Sequence, residues 1–124
     1  MADVAPSHLR SADVGSGICV VLVSAPDPET GLGLARAMVE ARLAACGNLI
    51  PGLTSVYRWK GEVHQDPESL IIFKTTTLLV GELRRRVVDL HPYEVPEFLV
   101  LPVKEGHLPY LEWVRGEVVE PEMP

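Results

Sequence analysis

The chain has few cysteines and few aromatic residues, and each shortage excludes a class of protein. Only Cys19 and Cys46 are present among the 124 residues, and they form no Cys-x-x-Cys motif. An iron–sulfur ferredoxin needs about four thiolate ligands, so that class is excluded. Small secreted domains usually carry more cysteines, so we expect a cytoplasmic protein. Aromatic residues make up only 6% of the chain, which leaves few rings on which nucleic-acid bases would stack.

Basic charge and long apolar runs are also scarce. Eleven Lys and Arg residues face 17 Asp and Glu residues, for a net charge of −6, whereas a nucleic-acid-binding face needs an excess of positive charge. No stretch approaches the roughly 20 apolar residues that a membrane helix requires. We therefore expect neither a nucleic-acid nor a membrane partner. Residues 1–17 lack the apolar segment of a signal peptide, and we predict a flexible leader over 1–17, one domain over 18–118 and a frayed tail over 119–124.

The pattern along the chain predicts alternating strands and helices. Unbroken apolar runs at 18–23 and 98–103 are typical of buried strands. A helix is expected over 28–45 with Asp27 as its N-cap, and a second helix capped by Thr77 is expected to end at His91, because Pro92 follows. Between them, strands around 53–59 and 69–75 form a hairpin that turns at Lys60-Gly61.

The order of these elements, with a last short helix around Trp113, predicts an α+β protein. Strand, helix, two strands, helix and strand give the ferredoxin-like βαββαβ sandwich, a four-stranded antiparallel sheet with helices on one face and here an extra C-terminal helix. The central strands are apolar on both faces, whereas a strand with one face in water normally alternates apolar and polar residues. We therefore expect a homo-oligomer that covers the second face, with the hairpin near Tyr57 and Trp59 pairing edge strands between subunits.

Motifs of the common enzyme classes are missing. The segment after the first strand, 24–28, has neither the glycines nor the basic residue of a phosphate-binding loop. The sequence also contains no nucleophile elbow, no Ser-His-Asp order and no Walker loop. We therefore predict a binding or scaffold protein rather than an enzyme.

Three segments point to a known family. They are AACGNLIPG at 44–52, TSVYRWKG at 54–61 and LHPYEVPE at 90–97, and they are joined by Lys74-Thr75 and by YLEW at 110–113. Together they resemble the CutA family of divalent-cation tolerance proteins, and the resemblance covers about 18–118. It implies a trimer of ferredoxin-like subunits, built like the PII signal-transduction proteins, with a role in tolerance of copper and other divalent metals.

The resemblance also implies a copper site made of a first-strand thiol and two adjacent histidines before the Pro-Tyr pair. In this chain Val23 and Leu90 occupy two of those positions, so His91 is the remaining candidate ligand for Cu2+ or another divalent cation. Copper sites normally use several nitrogen or sulfur donors. The alternative is that His91 ends the helix and its ring hydrogen-bonds a carbonyl.

A second candidate site combines Trp59, Lys74, Tyr93 and Glu97, which are expected at strand ends and at a proline-rich corner. In a trimer these residues would converge on a cleft between subunits, where a lysine and a carboxylate bind a small charged ligand. The alternative is an intersubunit ion pair between Lys74 and Glu97.

Four further carboxylates lack the spacing of a calcium loop and are expected to form a solvated rim: Glu62, Asp66, Glu68 and Glu94. Three functions remain open: divalent-cation tolerance, small-molecule sensing of the PII kind, and a trimeric scaffold for a protein partner.

Overall fold

A computed structural model describes residues 15–119, so the predicted leader up to residue 14 and the predicted tail from residue 120 lie outside the described residues. Four strands and three helices follow in order, with a 3-10 turn before the second helix: β1 (Ile18–Ala25), α1 (Pro28–Glu40), β2 (Cys46–Trp59), β3 (Glu62–Thr76), the 3-10 turn (Thr77–Leu79), α2 (Val80–Leu90), β4 (Leu99–Val103) and α3 (Leu108–Glu117). None of the helices in this range is long and apolar enough to cross a membrane.

The four strands form one antiparallel sheet in the order β2-β3-β1-β4. The element order and pairing confirm the predicted ferredoxin-like α+β fold with its additional C-terminal helix. The sheet register places Val21 of β1 between Phe73 of β3 and Val100 of β4, so side chains of alternate residues fall on the same face across the strands.

One face of the sheet carries the core. Helix α1 packs against β1, β2 and β3, and α2 packs against α1. Helical residues three and four apart share a face. Here that face packs against the apolar side chains at alternate strand positions, which point to the same side of the sheet. The buried set on the two sides comprises Val21, Val23, Ile71, Phe73, Leu34, Met38, Leu83 and Val87.

The first helix is shorter than the sequence predicts. It ends at Glu40 rather than near residue 45, because Arg42 takes a left-handed conformation with φ of 61°. Residues 43–45 are then buried in a bent connection, and β2 begins at Cys46. At the N-terminus Asp27 caps the helix as predicted, since its carboxylate accepts the N–H of Thr30 at 2.7 Å.

The predicted Thr77 cap is wrong. Thr77 opens the 3-10 turn that precedes α2, and α2 has no side-chain cap. The Thr77 hydroxyl instead donates to the carbonyl of Gly17 at 3.2 Å. Ser16 likewise donates its N–H and its hydroxyl to the carbonyl of Val103, so the last residues of the predicted leader are tied to the end of β4.

The hairpin of β2 and β3 projects beyond the rest of the sheet. Its turn is Lys60-Gly61, as predicted, with φ of 52° and 84°, the positive values that a tight hairpin turn of this kind requires. Strand β1 pairs with β3 only from residue 69 onward, so the stretch of β3 from Glu62 to Glu68 is paired with β2 alone. The two prolines are tolerated, because Pro51 lies at the register shift between Ile50 and Leu53 and Pro67 lies in this singly paired stretch.

The second face of the sheet is apolar and open in the single chain. Val20 and Ile72 are only half-buried there. Ile50, Leu99 and Leu101 lie on the same face by register and are 40%, 54% and 46% exposed. Helix α3 contacts β1 and β3, but it leaves these three side chains accessible.

Candidate functional site

A cleft of about 770 Å3 lies between the projecting hairpin and the segment 93–97 that follows α2. Trp59 and Tyr57 on β2, Glu68 on β3, and Tyr93 and Glu97 on the segment line it. The hairpin register places Trp59, Tyr57 and Glu68 on one face of the hairpin, with Glu68 opposite Leu53. The segment 93–97 is bent rather than a strand, and the prolines at 92 and 96 each fix one backbone angle.

Two tyrosine hydroxyls donate to carboxylates in the cleft. Tyr57 donates to Asp66 at 2.6 Å, and Tyr93 donates to Glu68 at 2.5 Å. The hydrogen bond to Asp66 raises the pKa of Tyr57. Burial, and then the bond to Glu68, raises the pKa of Tyr93 well above its ordinary range. Both phenols therefore keep their protons at neutral pH and act as donors to the two carboxylates.

Glu97 has a different environment from these paired carboxylates. Burial, and then repulsion from Glu68, raises the pKa of Glu97. No described residue donates a hydrogen bond to its side chain or forms an ion pair with it. Like Glu94, Glu97 is exposed, and neither carboxylate accepts a hydrogen bond from a described residue.

The lining as a whole is acidic. Among the described residues that line the cleft there are four carboxylates and no lysine, arginine or histidine. Three of the carboxylates predicted as a solvated rim, Asp66, Glu68 and Glu94, belong to this lining, whereas Glu62 does not. Asp66 and Glu94 are exposed, but Glu68 is half-buried, so the rim prediction needs correction at Glu68.

His91 lies at the inner end of the 93–97 segment and is buried, with 7% of its surface exposed. Its Nε2 lies 2.6 Å from the carbonyl oxygen of Ser24, and its Nδ1 lies 3.1 Å from the backbone N–H of Tyr93. A carbonyl only accepts and an N–H only donates, so Nε2 carries the proton and Nδ1 accepts. The ring also lies 4.7 Å from the Tyr93 ring. His91 therefore ties the end of β1 to the segment and positions Tyr93.

Comparison with known proteins places this fold and these motifs in a family. The family model of the CutA1 divalent ion tolerance protein matches residues 19–117. The chain belongs to the CutA1 family. Among its relatives, the divalent-cation tolerance protein CutA of Thermus thermophilus is 53% identical over 96 residues, which are 77% of this chain and 93% of that protein. Human CutA is 46% identical over 110 residues, and the match covers 85% of this chain and 62% of the human protein.

Solved structures give the same assignment. The structure of the Thermus thermophilus divalent cation tolerance protein superimposes with a TM-score of 0.80 at 50% identity, covering 82% of this chain and 99% of that one. A structure from Nostoc described as a PII-like protein CutA in apo form gives a TM-score of 0.77 at 39% identity, covering 82% and 97%. The resemblance to the CutA family and its fold is confirmed.

Within this CutA1 chain the four predicted pocket residues do not all lie together. Trp59, Tyr93 and Glu97 line the cleft, but Lys74 does not. Lys74 lies on the second sheet face, where its ammonium donates to the Asn48 side chain on β2, and its direct partner across the strands is Cys46. Among residues 15–119 no side chain bridges Lys74 and Glu97.

Tyr57 and Glu68 are members of the site that the sequence does not predict. The Lys60-Gly61 turn could have indicated these two residues, because a hairpin closed there fixes which residues of its two strands lie opposite each other. That register places Tyr57 opposite His64, on which its ring stacks at 5.4 Å, and places Asp66 diagonally opposite within reach of the hydroxyl.

Proposed function

We propose that this chain is a non-enzymatic protein of divalent-cation tolerance that acts in the cytoplasm as a homotrimer. Membership of the CutA1 family supports the cation-tolerance role. The observation that carries the assembly is the open apolar face of the sheet. An apolar face of this kind, together with outer edges of β2 and β4 that pair with no other strand among residues 15–119, is typical of a surface covered by another subunit.

The assembly is tested by sedimentation velocity at micromolar concentration. The wild-type chain is expected to sediment as a trimer, and Leu101→Asp is expected to shift it to lighter species, since a charge on the covered face would be buried without a partner. Leu78→Asp is the matched control, because Leu78 is 73% exposed in the 3-10 turn and its variant should remain trimeric. A folded wild-type monomer at this concentration would contradict the proposal.

We also propose that the protein binds Cu2+ or another divalent cation. His91 stays the predicted ligand, and to bind metal its ring would have to release either the Ser24 carbonyl or the Tyr93 N–H. The carboxylates of the cleft suit harder cations better than copper. Calorimetry with Cu2+ should show saturable heat that decreases in His91→Ala. Unchanged heat in that variant would remove His91 from the site, and the absence of heat with Cu2+, Mg2+ and Mn2+ would contradict divalent-cation binding.

A specific observation favours a second candidate function, the sensing of a small molecule. The cleft volume of about 770 Å3 lies within the range of about 300–1,000 Å3 that is common for small-molecule sites. Its lining combines aromatic rings with a few polar groups, as such sites usually do. A relative from Nostoc is described as PII-like, which fits this candidate function.

A further inference from the structure

We propose that the cleft beside the hairpin binds the ammonium group of a small aliphatic amine. This inference rests on the second candidate function, small-molecule sensing, and specifies its ligand class. The sequence predicts that Lys74 and a carboxylate bind a small charged ligand in a cleft between subunits. Within a single chain Lys74 lies on the second sheet face, and the described lining of this cleft contains carboxylates and no basic residue.

The charge of the lining selects a cation. Asp66 and Glu68 each receive one hydrogen bond from a tyrosine, but a carboxylate has about four acceptor positions, so both keep free acceptor capacity. Glu97 is exposed and receives no hydrogen bond from the described residues, while partial desolvation and the charge of Glu68 disfavour its charged form. A ligand ammonium would relieve that repulsion and supply three donors, whereas an anionic ligand would increase it.

The aromatic lining favours an organic cation over a bare metal ion. The rings of Tyr57, Trp59 and Tyr93 all line the cleft, and ammonium groups bind over such rings. The chain's own Lys60 ammonium already lies 5.8 Å from the centre of the Trp59 ring, so this ring is accessible to a cation of that kind.

The remaining lining fits a ligand with an apolar stem. Val56 and Val95 are both 65% exposed and line the same cleft, so they offer apolar surface to an aliphatic chain. By contrast, no group of three or more histidine, cysteine or acidic side chains among residues 15–119 is arranged to hold a metal ion.

The test compares three probes of equal chain length on the assembled protein. 1-Aminopentane, 1-pentanol and pentanoate are titrated at millimolar concentration, and binding is followed by calorimetry and by NMR shifts of the tryptophan indole N–H groups. We expect saturable binding of the amine at one site per chain, with a shift at Trp59. Pentanoate should not bind, and pentanol should bind at least tenfold more weakly than the amine.

Variants locate the binding. Glu97→Gln and Trp59→Leu should each weaken amine binding by roughly tenfold, the effect of about 1.4 kcal/mol in affinity. Glu105→Gln removes the same charge from an exposed position outside the cleft, and Trp113→Leu removes a ring of similar exposure on α3. Both controls should bind the amine as the wild type does, and sedimentation velocity checks that all four variants keep the wild-type assembly.

The outcomes separate the two proposals. If pentanoate or pentanol binds as tightly as the amine, the cleft is a small-molecule site but the preference for a cation is wrong. If the amine binds but Glu97→Gln and Trp59→Leu leave its affinity unchanged, the site lies elsewhere and the inference is overturned. If none of the three probes binds, both the amine inference and the sensing function lose their support.

Discussion

Replacement of His91 by alanine tests whether this residue holds the cleft together. The ring joins two parts of the chain that are far apart in sequence, since Nε2 donates to Ser24 at the end of β1 and Nδ1 accepts from Tyr93 after α2. Alanine removes both hydrogen bonds and the ring contact with Tyr93. The Ser24 carbonyl and the Tyr93 N–H would then lose their partners in a largely buried environment.

The expected loss of stability follows from the two polar groups that lose their hydrogen-bond partners. A buried polar group that loses its partner costs about 1–3 kcal/mol, and the removal of a buried ring leaves a cavity as well. Because Tyr93 is only half-buried, water replaces part of the lost bond on that side. We therefore expect His91→Ala to lower the free energy of unfolding by about 2–4 kcal/mol.

Urea unfolding followed by circular dichroism measures this change. All variants are compared at one protein concentration, because the stability of an oligomer depends on concentration. His107→Ala is the matched control: His107 is exposed at the start of α3 and makes no side-chain cap, so its change should stay within about 0.5 kcal/mol. A His91→Ala variant as stable as His107→Ala would show that the two hydrogen bonds do not secure the segment.

Two further predictions concern a helix glycine pair and the titration of the cleft. Gly31→Ala should lower the free energy of unfolding by about 1–3 kcal/mol, because a Cβ there would lie 2.8 Å from Leu49 and 3.0 Å from the bonded hydroxyl of Ser69. Gly33 has open space around it, so Gly33→Ala should raise the free energy of unfolding by up to about 1 kcal/mol. If urea unfolding gives changes of the same sign for both variants, the packing argument is refuted. Since the folded state raises the pKa of Glu97, wild-type stability should fall as pH rises from about 4.5. Glu97→Gln should therefore be more stable than wild type at pH 7, with the advantage lost in acid; a pH-independent difference would contradict this.

The order and pairing of the strands could be predicted because their signals are local. The apolar run at 18–23 lies in β1, and the Lys60-Gly61 turn fixes the hairpin register. The end of α1 could not be predicted, since it depends on Arg42, a residue with no preference for the left-handed conformation that it adopts. The alanines around it favour a helix by propensity, but residues 43–45 lie buried in a bent connection outside the helix.

The candidate site was predictable only in part, because it depends on distant contacts. Trp59, Tyr93 and Glu97 were identified from their place near turns and prolines, and they do line one cleft. The face on which Lys74 lies depends on the pairing of β3 with β2, where Cys46 is opposite Lys74. The length of β3, which carries Glu68 past the end of β1, was hidden by the proline at position 67.

The two walls of the cleft, the segment 93–97 and the hairpin, are held in place by different contacts. The segment 93–97 is fixed at one end by His91 to Ser24 and further along by Tyr93 to Glu68. Among the described residues, the hairpin before residue 69 of β3 has the pairing between its own two strands and, at Glu68, the hydrogen bond from Tyr93. A lone two-stranded ribbon is marginally stable in water. A ligand bound between Trp59 and Glu97 would therefore restrain the hairpin more than the segment. Val56 and Trp59 on the same hairpin are exposed, so if the proposed trimer uses this hairpin, occupation of the cleft and contact between subunits would act on one element.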